Sequence, residues 1–227
     1  MENNMEGFSP NISDAIHEHA ANNNIILITN PITSFSMEKI YYPFQDMIQK
    51  EIEGCLHGGQ LFLEECTPIR MFIHSPGGDV FSSLTLCNLI ESSPIPIHVR
   101  VLGRIDSGAT YMALCGHQRE MYADSYMGLH GVAASFTESL FEEDLLNESR
   151  INKDIGGKLR NLLARHTRLS PALIEKYTNK CNELMDAEFC LKHGLIDRII
   201  PDSEITEYKI ADLHPKPKEK KSKKKKL

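Results

Sequence analysis

A serine followed by two small residues stands in Gly103-Arg104-Ile105-Asp106-Ser107-Gly108-Ala109, and a histidine closes Met127-Gly128-Leu129-His130 just before Gly131. A free hydroxyl is a poor nucleophile at neutral pH and needs a base beside it, a role that histidine fills most often. Small residues after such a serine let its hydroxyl point outward, and the backbone N–H of Gly108 can then face a developing oxyanion. A third stretch, His74-Ser75-Pro76-Gly77-Gly78, sets two adjacent glycines after a proline. That pair permits a tight turn with exposed N–H groups, as an oxyanion site or a cradle for an extended peptide requires. Each stretch also has a plainer reading. Ser107 can be a helix cap, His130 a structural loop residue, and Gly77-Gly78 a bare strand-to-helix turn. What favours chemistry is their succession at consecutive strand ends.

The elements around them are those that would hold such groups at one edge of a sheet. Ile69, Met71 and Ile73 alternate along a strand that runs into Ser75-Pro76-Gly77-Gly78, and Val80, Leu84 and Cys87 share one face of the helix that follows. Ile97, Val99 and Val101 make a second strand, expected to end at Gly103, with a helix over 107–114. Residues 121–131 read as one or two short strands. Upstream, ISDAIHEHAA (12–21) predicts a short helix and IILIT (25–29) a buried strand. Ile40, Phe44, Met47, Ile48 and Ile52 recur at helical spacing, with Pro43 expected early in that helix or at a kink, and 53–67 reads as a loop or hairpin. Downstream, a long helix is expected over 137–165, starting near Thr137 and broken or bent at Gly156-Gly157. Further helices are expected from Pro171 and over 187–194, and a strand in LIDRII. Strands alternating with helices imply βαβ units, a mainly parallel sheet, and ligands bound beyond the carboxyl ends of its strands.

Composition narrows the function classes. Of 227 residues, 41% are hydrophobic and 25% charged, an ordinary globular balance. No apolar run approaches the roughly 18 residues of a membrane span, and MENNMEGFSPN lacks a secretory layout, so a soluble cytoplasmic protein without a membrane partner is expected. The six cysteines are scattered without a CxxC pair, which favours buried thiols over disulfides or zinc ligands, and no metal is expected. The net charge of −6 divides into +7 on the last twelve residues, KPKEKKSKKKKL, and −13 on the rest. The acidic body does not suit nucleic acid. The Lys-rich tail, read as a disordered extension, is where an acidic surface, nucleic acid or a partner would attach.

Together these stretches resemble the Clp protease proteolytic subunit (ClpP) family. SPGGDV (75–80) is similar to its SPGG motif, GRIDSGATYMALCG (103–116) to its nucleophile segment, and MGLHG (127–131) to the strand that ends in its catalytic histidine. AEFCLKHGLIDRII (187–200) resembles its closing segment, and the likeness spans roughly residues 22–200. The resemblance implies an α/β spiral of βαβ units, shared with crotonases, with a protruding handle helix here at about 137–165. It divides the chain into an N-terminal segment (1–21), a ClpP-like peptidase domain (22–200) and a C-terminal extension (201–227). It further implies a serine endopeptidase, itself independent of ATP and of cofactors, acting on unfolded polypeptides. Heptameric rings stacked as a tetradecamer and an ATP-dependent unfoldase as partner would carry over too.

Carried over by position, Ser107 is the nucleophile, His130 the base, Gly77 and Gly108 the oxyanion donors, and Gly78 part of the substrate cradle. The family's catalytic Asp falls on Asn182, with Asp186 an alternative if the loop shifts. An Asn can orient the imidazole through its carbonyl but cannot offset the charge that forms on the ring. The competing reading is therefore a weakly active or inert subunit that assembles with, or regulates, an active ring. An acyl-CoA enzyme on the same spiral would leave the Ser/His pair without a use.

Overall fold

The structure is a computed structural model that describes residues 12–132, 141–179 and 183–201. Thr137, Cys181, Asn182 and the Lys-rich tail lie outside them. Helix α1 (Ile12–Ala21) leads into β1 (Ile25–Ile28) and the long helix α2 (Ser34–Gly54). A short hairpin, β2 (Leu56–His57) and β3 (Gln60–Leu61), follows, then a single 3₁₀ turn at Leu63–Glu65. Next come β4 (Ile69–Ser75), α3 (Val80–Glu91), β5 (Ile97–Asp106), α4 (Gly108–Leu114), β6 (Gln118–Tyr122) and β7 (Tyr126–Leu129). The chain closes with α5 (Glu142–His166), α6 (Pro171–Asn179), β8 (Glu183–Asp186), α7 (Ala187–Lys192) and β9 (Arg198–Ile200).

The strands run in the order β1-β4-β5-β6-β9, all parallel, with β7 branching off β5 and β8 antiparallel to β7. This is the α/β architecture expected from strand–helix alternation. Ile69, Met71 and Ile73, with Ile97, Val99 and Val101, bury one face of the sheet in the core formed with α2, α3 and α4. The other face carries Arg70, Phe72, His74, Arg100, Leu102 and Arg104, which remain half-buried or exposed.

The fork in β5 is what opens the site. Its first half pairs with β6 (His98–Val101 against Gln118–Met121), and its last three residues pair with β7 (Arg104–Asp106 against Tyr126–Gly128). Between the two halves the register with β4 slips, so that Ile73 faces Val101 but Ser75 faces Ile105. The strand therefore does not end at Gly103. It bulges there and continues to Asp106. A side chain at Gly103 would come within 3.1 Å of His74 Nδ1, and that nitrogen accepts the Arg104 N–H at 3.2 Å, so the glycine makes room for the His74 ring.

Packing overrides two other local expectations. Pro43 is the tenth of 21 residues in α2, yet the helix runs on past it, because Ile40, Phe44, Met47 and Ile48 bury one stripe across the missing N–H. Helix α5 is described from Glu142, the expected start near Thr137 lying outside the described residues, and it passes unbroken through Gly156-Gly157. Ile155, Leu159, Leu162 and Leu163 are buried around the glycine pair, and this apolar stripe outweighs a propensity loss of about 1 kcal/mol per glycine. The hairpin at 53–67 forms as read, its turn at Gly58-Gly59 having φ of 61° and 83°, values that favour glycine.

Three neighbouring strands are tied by one buried carboxylate. Glu120 on β6 accepts from Arg100 Nη2 on β5 (2.9 Å) and Arg198 Nη2 on β9 (2.6 Å), its register partners on either side. Burial pushes this carboxyl up, but the two arginines outweigh burial and leave it below its ordinary value of 4.5. A carboxyl lowered in the native state adds stability above its ordinary value and loses it as pH falls through the native one. Glu120→Gln should therefore lose about 3 kcal/mol at neutral pH and show a shallower acid limb in urea midpoints measured below pH 4.5.

Candidate active site

Ser107 occupies the junction where β5 gives way to α4, and its backbone is held at φ 53° and ψ −125°. Positive φ is costly for a residue with a Cβ, about 1–3 kcal/mol, and persists only where the surroundings enforce it. Here they do. The Ser107 N–H donates to Gly128 O (3.0 Å), and Thr110 Oγ1 donates to the same carbonyl (2.8 Å), pinning the turn to β7. The Ser107 side chain makes no capping bond, which removes the helix-cap reading. A half-buried hydroxyl on a strained strand-to-helix turn is the arrangement of a nucleophile elbow.

Two glycines are needed for that turn to pack. A Cβ on Gly108 would lie 2.1 Å from Ser83 Oγ, and one on Gly128 would collide with Asp106 Oδ1 at 1.8 Å. The Gly77-Gly78 turn closes on the elbow from the other side. A Cβ on Gly77 would stand 2.9 Å from Ser107 Cβ and 2.8 Å from Gly108 N, so the three predicted backbone groups do meet. Ile32, from the segment between β1 and α2, clamps the turn: its N–H donates to Gly77 O (2.8 Å) and its O accepts from Asp79 N–H (2.7 Å). The Gly77 N–H is already engaged, donating to Ser75 Oγ at 3.2 Å. Those of Gly78 and Gly108 have no acceptor among the described residues.

His130 follows the end of β7, and Gly131 beyond it presses on α6, where a Cβ would meet Thr178 O at 2.6 Å. His130 Nδ1 lies 2.6 Å from Gly131 O. A carbonyl can only accept, so Nδ1 carries the proton and Nε2 of the neutral ring is the free base. Ser107, His130, Gly78 and Gly108 line one cavity of about 400 Å³. Its walls include Leu84, Cys87, Tyr111, Val132, Ile155 and Leu159, with Glu148 and Asn152 also lining it. The Tyr111 hydroxyl is buried without a hydrogen-bond partner among the described residues, and burial holds it well above its ordinary pKa.

The third group is partly constrained. Asn182 lies outside the described residues. Asp186 does not substitute for it: its carboxylate caps α7 by accepting from Phe189 N–H (2.8 Å), and it sits opposite Tyr126, at the far end of β7 from His130. Reading along the chain singled out Ser107, His130 and the glycine turn but missed Thr110, Gly128 and Ile32, which enforce the elbow across the sheet. Thr110, a polar residue in an otherwise apolar run, was the available signal.

In the comparison with protein families, residues 12–203 match the family model described as Clp protease.

Proposed function

This chain belongs to the Clp protease family, and from that premise we propose that it is the serine endopeptidase core of a cytoplasmic, self-compartmentalising ring protease that cleaves unfolded polypeptides. The observation that carries the reading is the strained, uncapped Ser107 in one cavity with His130. In the proposed reaction, Ser107 Oγ attacks the scissile carbonyl as His130 Nε2 takes its proton. The resulting oxyanion accepts from the open N–H of Gly108 and from the Gly77-Gly78 turn, where Gly77 serves once it releases Ser75. His130 then gives the proton to the leaving amine, and water repeats the sequence on the acyl-enzyme. The extended substrate lies along Gly78, and the apolar walls of the cavity receive one of its side chains.

Asn182 orients His130 in this scheme by accepting the Nδ1–H through its side-chain carbonyl once that N–H leaves Gly131 O. Support comes from the β7–β8 register: Leu129 pairs with Glu183, and these are the chain neighbours of His130 and Asn182. The proposal includes stacked heptameric rings fed by an ATP-dependent unfoldase; association between copies is supported by exposed apolar residues, Phe141 at the N-cap of α5 and Leu145 and Leu146 near its start.

A second reading, a slow subunit that serves mainly to complete an active ring, is favoured by one observation. The group that His130 Nδ1 meets is a carbonyl rather than a carboxylate. Turnover of an unstructured fluorogenic peptide by the isolated protein separates the two. A gain of roughly tenfold or more in kcat on Asn182→Asp supports the slow subunit, because a carboxylate offsets the imidazolium charge. Fast turnover in the unaltered protein with little change on Asn182→Asp supports a competent peptidase.

A further inference from the structure

Away from the Ser107 turn, four side chains with metal-binding atoms come together where three helices end. Cys87 and Glu91 lie one turn apart at the C-terminal end of α3, Cys115 caps α4, and His166 is the last residue of α5. The ligand atoms of Glu91, Cys115 and His166 all lie within 4.8 Å of one another. The Cys87 thiol neighbours that of Cys115 from the turn of α3 before Glu91, outside the 4.8 Å group but next to it. Numbering hides this group, since the four residues span 80 positions and share no short motif. The topology assembles it.

We propose that Cys87, Glu91, Cys115 and His166 form a Zn²⁺ site that ties together the C-terminal ends of α3, α4 and α5. Two thiolates, an imidazole and a carboxylate are a donor set for tetrahedral zinc. Bonds of about 2.0 to 2.3 Å would place the ligand atoms roughly 3.5 Å apart, a small contraction for Glu91, Cys115 and His166 and a larger approach for Cys87. Helix C-termini present unpaired carbonyls and partial negative charge, so three of them converging favour a cation. The two cysteines are 1% and 4% exposed, whereas Glu91 and His166 reach the surface, which gives an ion a way in. One charge competes: Arg165 Nη2 holds Glu91 Oε1 at 3.1 Å. Its side chain is largely exposed and can swing into water as the metal replaces it on Glu91. Binding releases the two thiol protons and the His166–Glu91 hydrogen bond of 2.5 Å. Cys87 also lines the Ser107 cavity, so the metal would brace one wall of it.

The test uses the full-length chain, reduced and freed of metal by a chelator, then titrated with Co²⁺ alone. A sulfur-to-cobalt charge-transfer band with intense tetrahedral visible bands should saturate near one Co²⁺ per chain and disappear when Zn²⁺ is added. The band should be lost in Cys115→Ser and unchanged in Cys55→Ser, which alters a buried free cysteine outside the group. His166→Gln, at a partly exposed helix end that tolerates the change, should weaken Co²⁺ affinity by more than about tenfold, which decides the matter even if Cys115→Ser folds poorly. Absence of a thiolate band through several equivalents, or a band indifferent to both Cys115→Ser and His166→Gln, overturns the site. None of these readings depends on peptide turnover, so the zinc site and the Ser107 chemistry stand or fall separately.

Discussion

Ser107→Ala is expected to reduce peptide turnover to the detection limit, a loss of about 10⁴- to 10⁶-fold in kcat if the unaltered protein is fully competent. Alanine keeps the Cβ and therefore the strained φ of 53°, so its stability should match that of the parent. Ser107→Gly separates the two roles of the position. Glycine adopts positive φ freely, so this variant should be equally inactive yet about 1 kcal/mol more stable. Gain of stability with loss of activity is the signature of strain held at a reacting group, and thermal denaturation beside a peptide assay reads both. If Ser107→Gly were destabilised, the turn would be an ordinary one.

The second large effect is expected at Gly78. Its φ of 151° falls where L side chains are rare, and a Cβ there would lie 2.1 Å from Ile32 O. That oxygen cannot retreat, because it accepts the Asp79 N–H while the Ile32 N–H holds Gly77 O. Ile32 itself is 1% exposed. Gly78→Ala must break this clamp or fail to fold around it, with an expected loss above about 3 kcal/mol in chemical denaturation. Where the variant is still folded, peptide turnover should fall as well, since the displaced turn carries the open Gly78 N–H and borders Gly108. A Gly78→Ala protein with parental stability and turnover would show that the clamp does not position the turn.

Much of the architecture is legible in the chain because local and tertiary preferences agree there. The alternation of Ile69, Met71 and Ile73 meets the same burial in the sheet, and the strand-end groups converge because parallel strands put their carboxyl ends on one edge. The failures share one cause. Gly103, Pro43 and Gly156-Gly157 are local signals for a break or bend, and burial decides each: the His74 ring takes the space at the bulge, and the buried stripes of α2 and α5 carry those helices through. The same limit explains the site. Ser107 and His130 announce themselves by type and neighbours, whereas the role of Gly128 as acceptor for both Ser107 and Thr110 exists only once β7 pairs with β5. Asp186 illustrates the converse. It is a carboxylate at a tempting distance along the chain, but as the cap of α7 it is committed elsewhere.

The central claim is that Ser107 is a nucleophile activated by His130, and the most direct measurement is the mass-mapped site of reaction with a fluorophosphonate. The account predicts a single adduct on the peptide that carries Ser107, absent from Ser107→Ala and strongly slowed in His130→Ala. An assembled, folded protein that gains no adduct at Ser107, or that labels equally fast without His130, would contradict it.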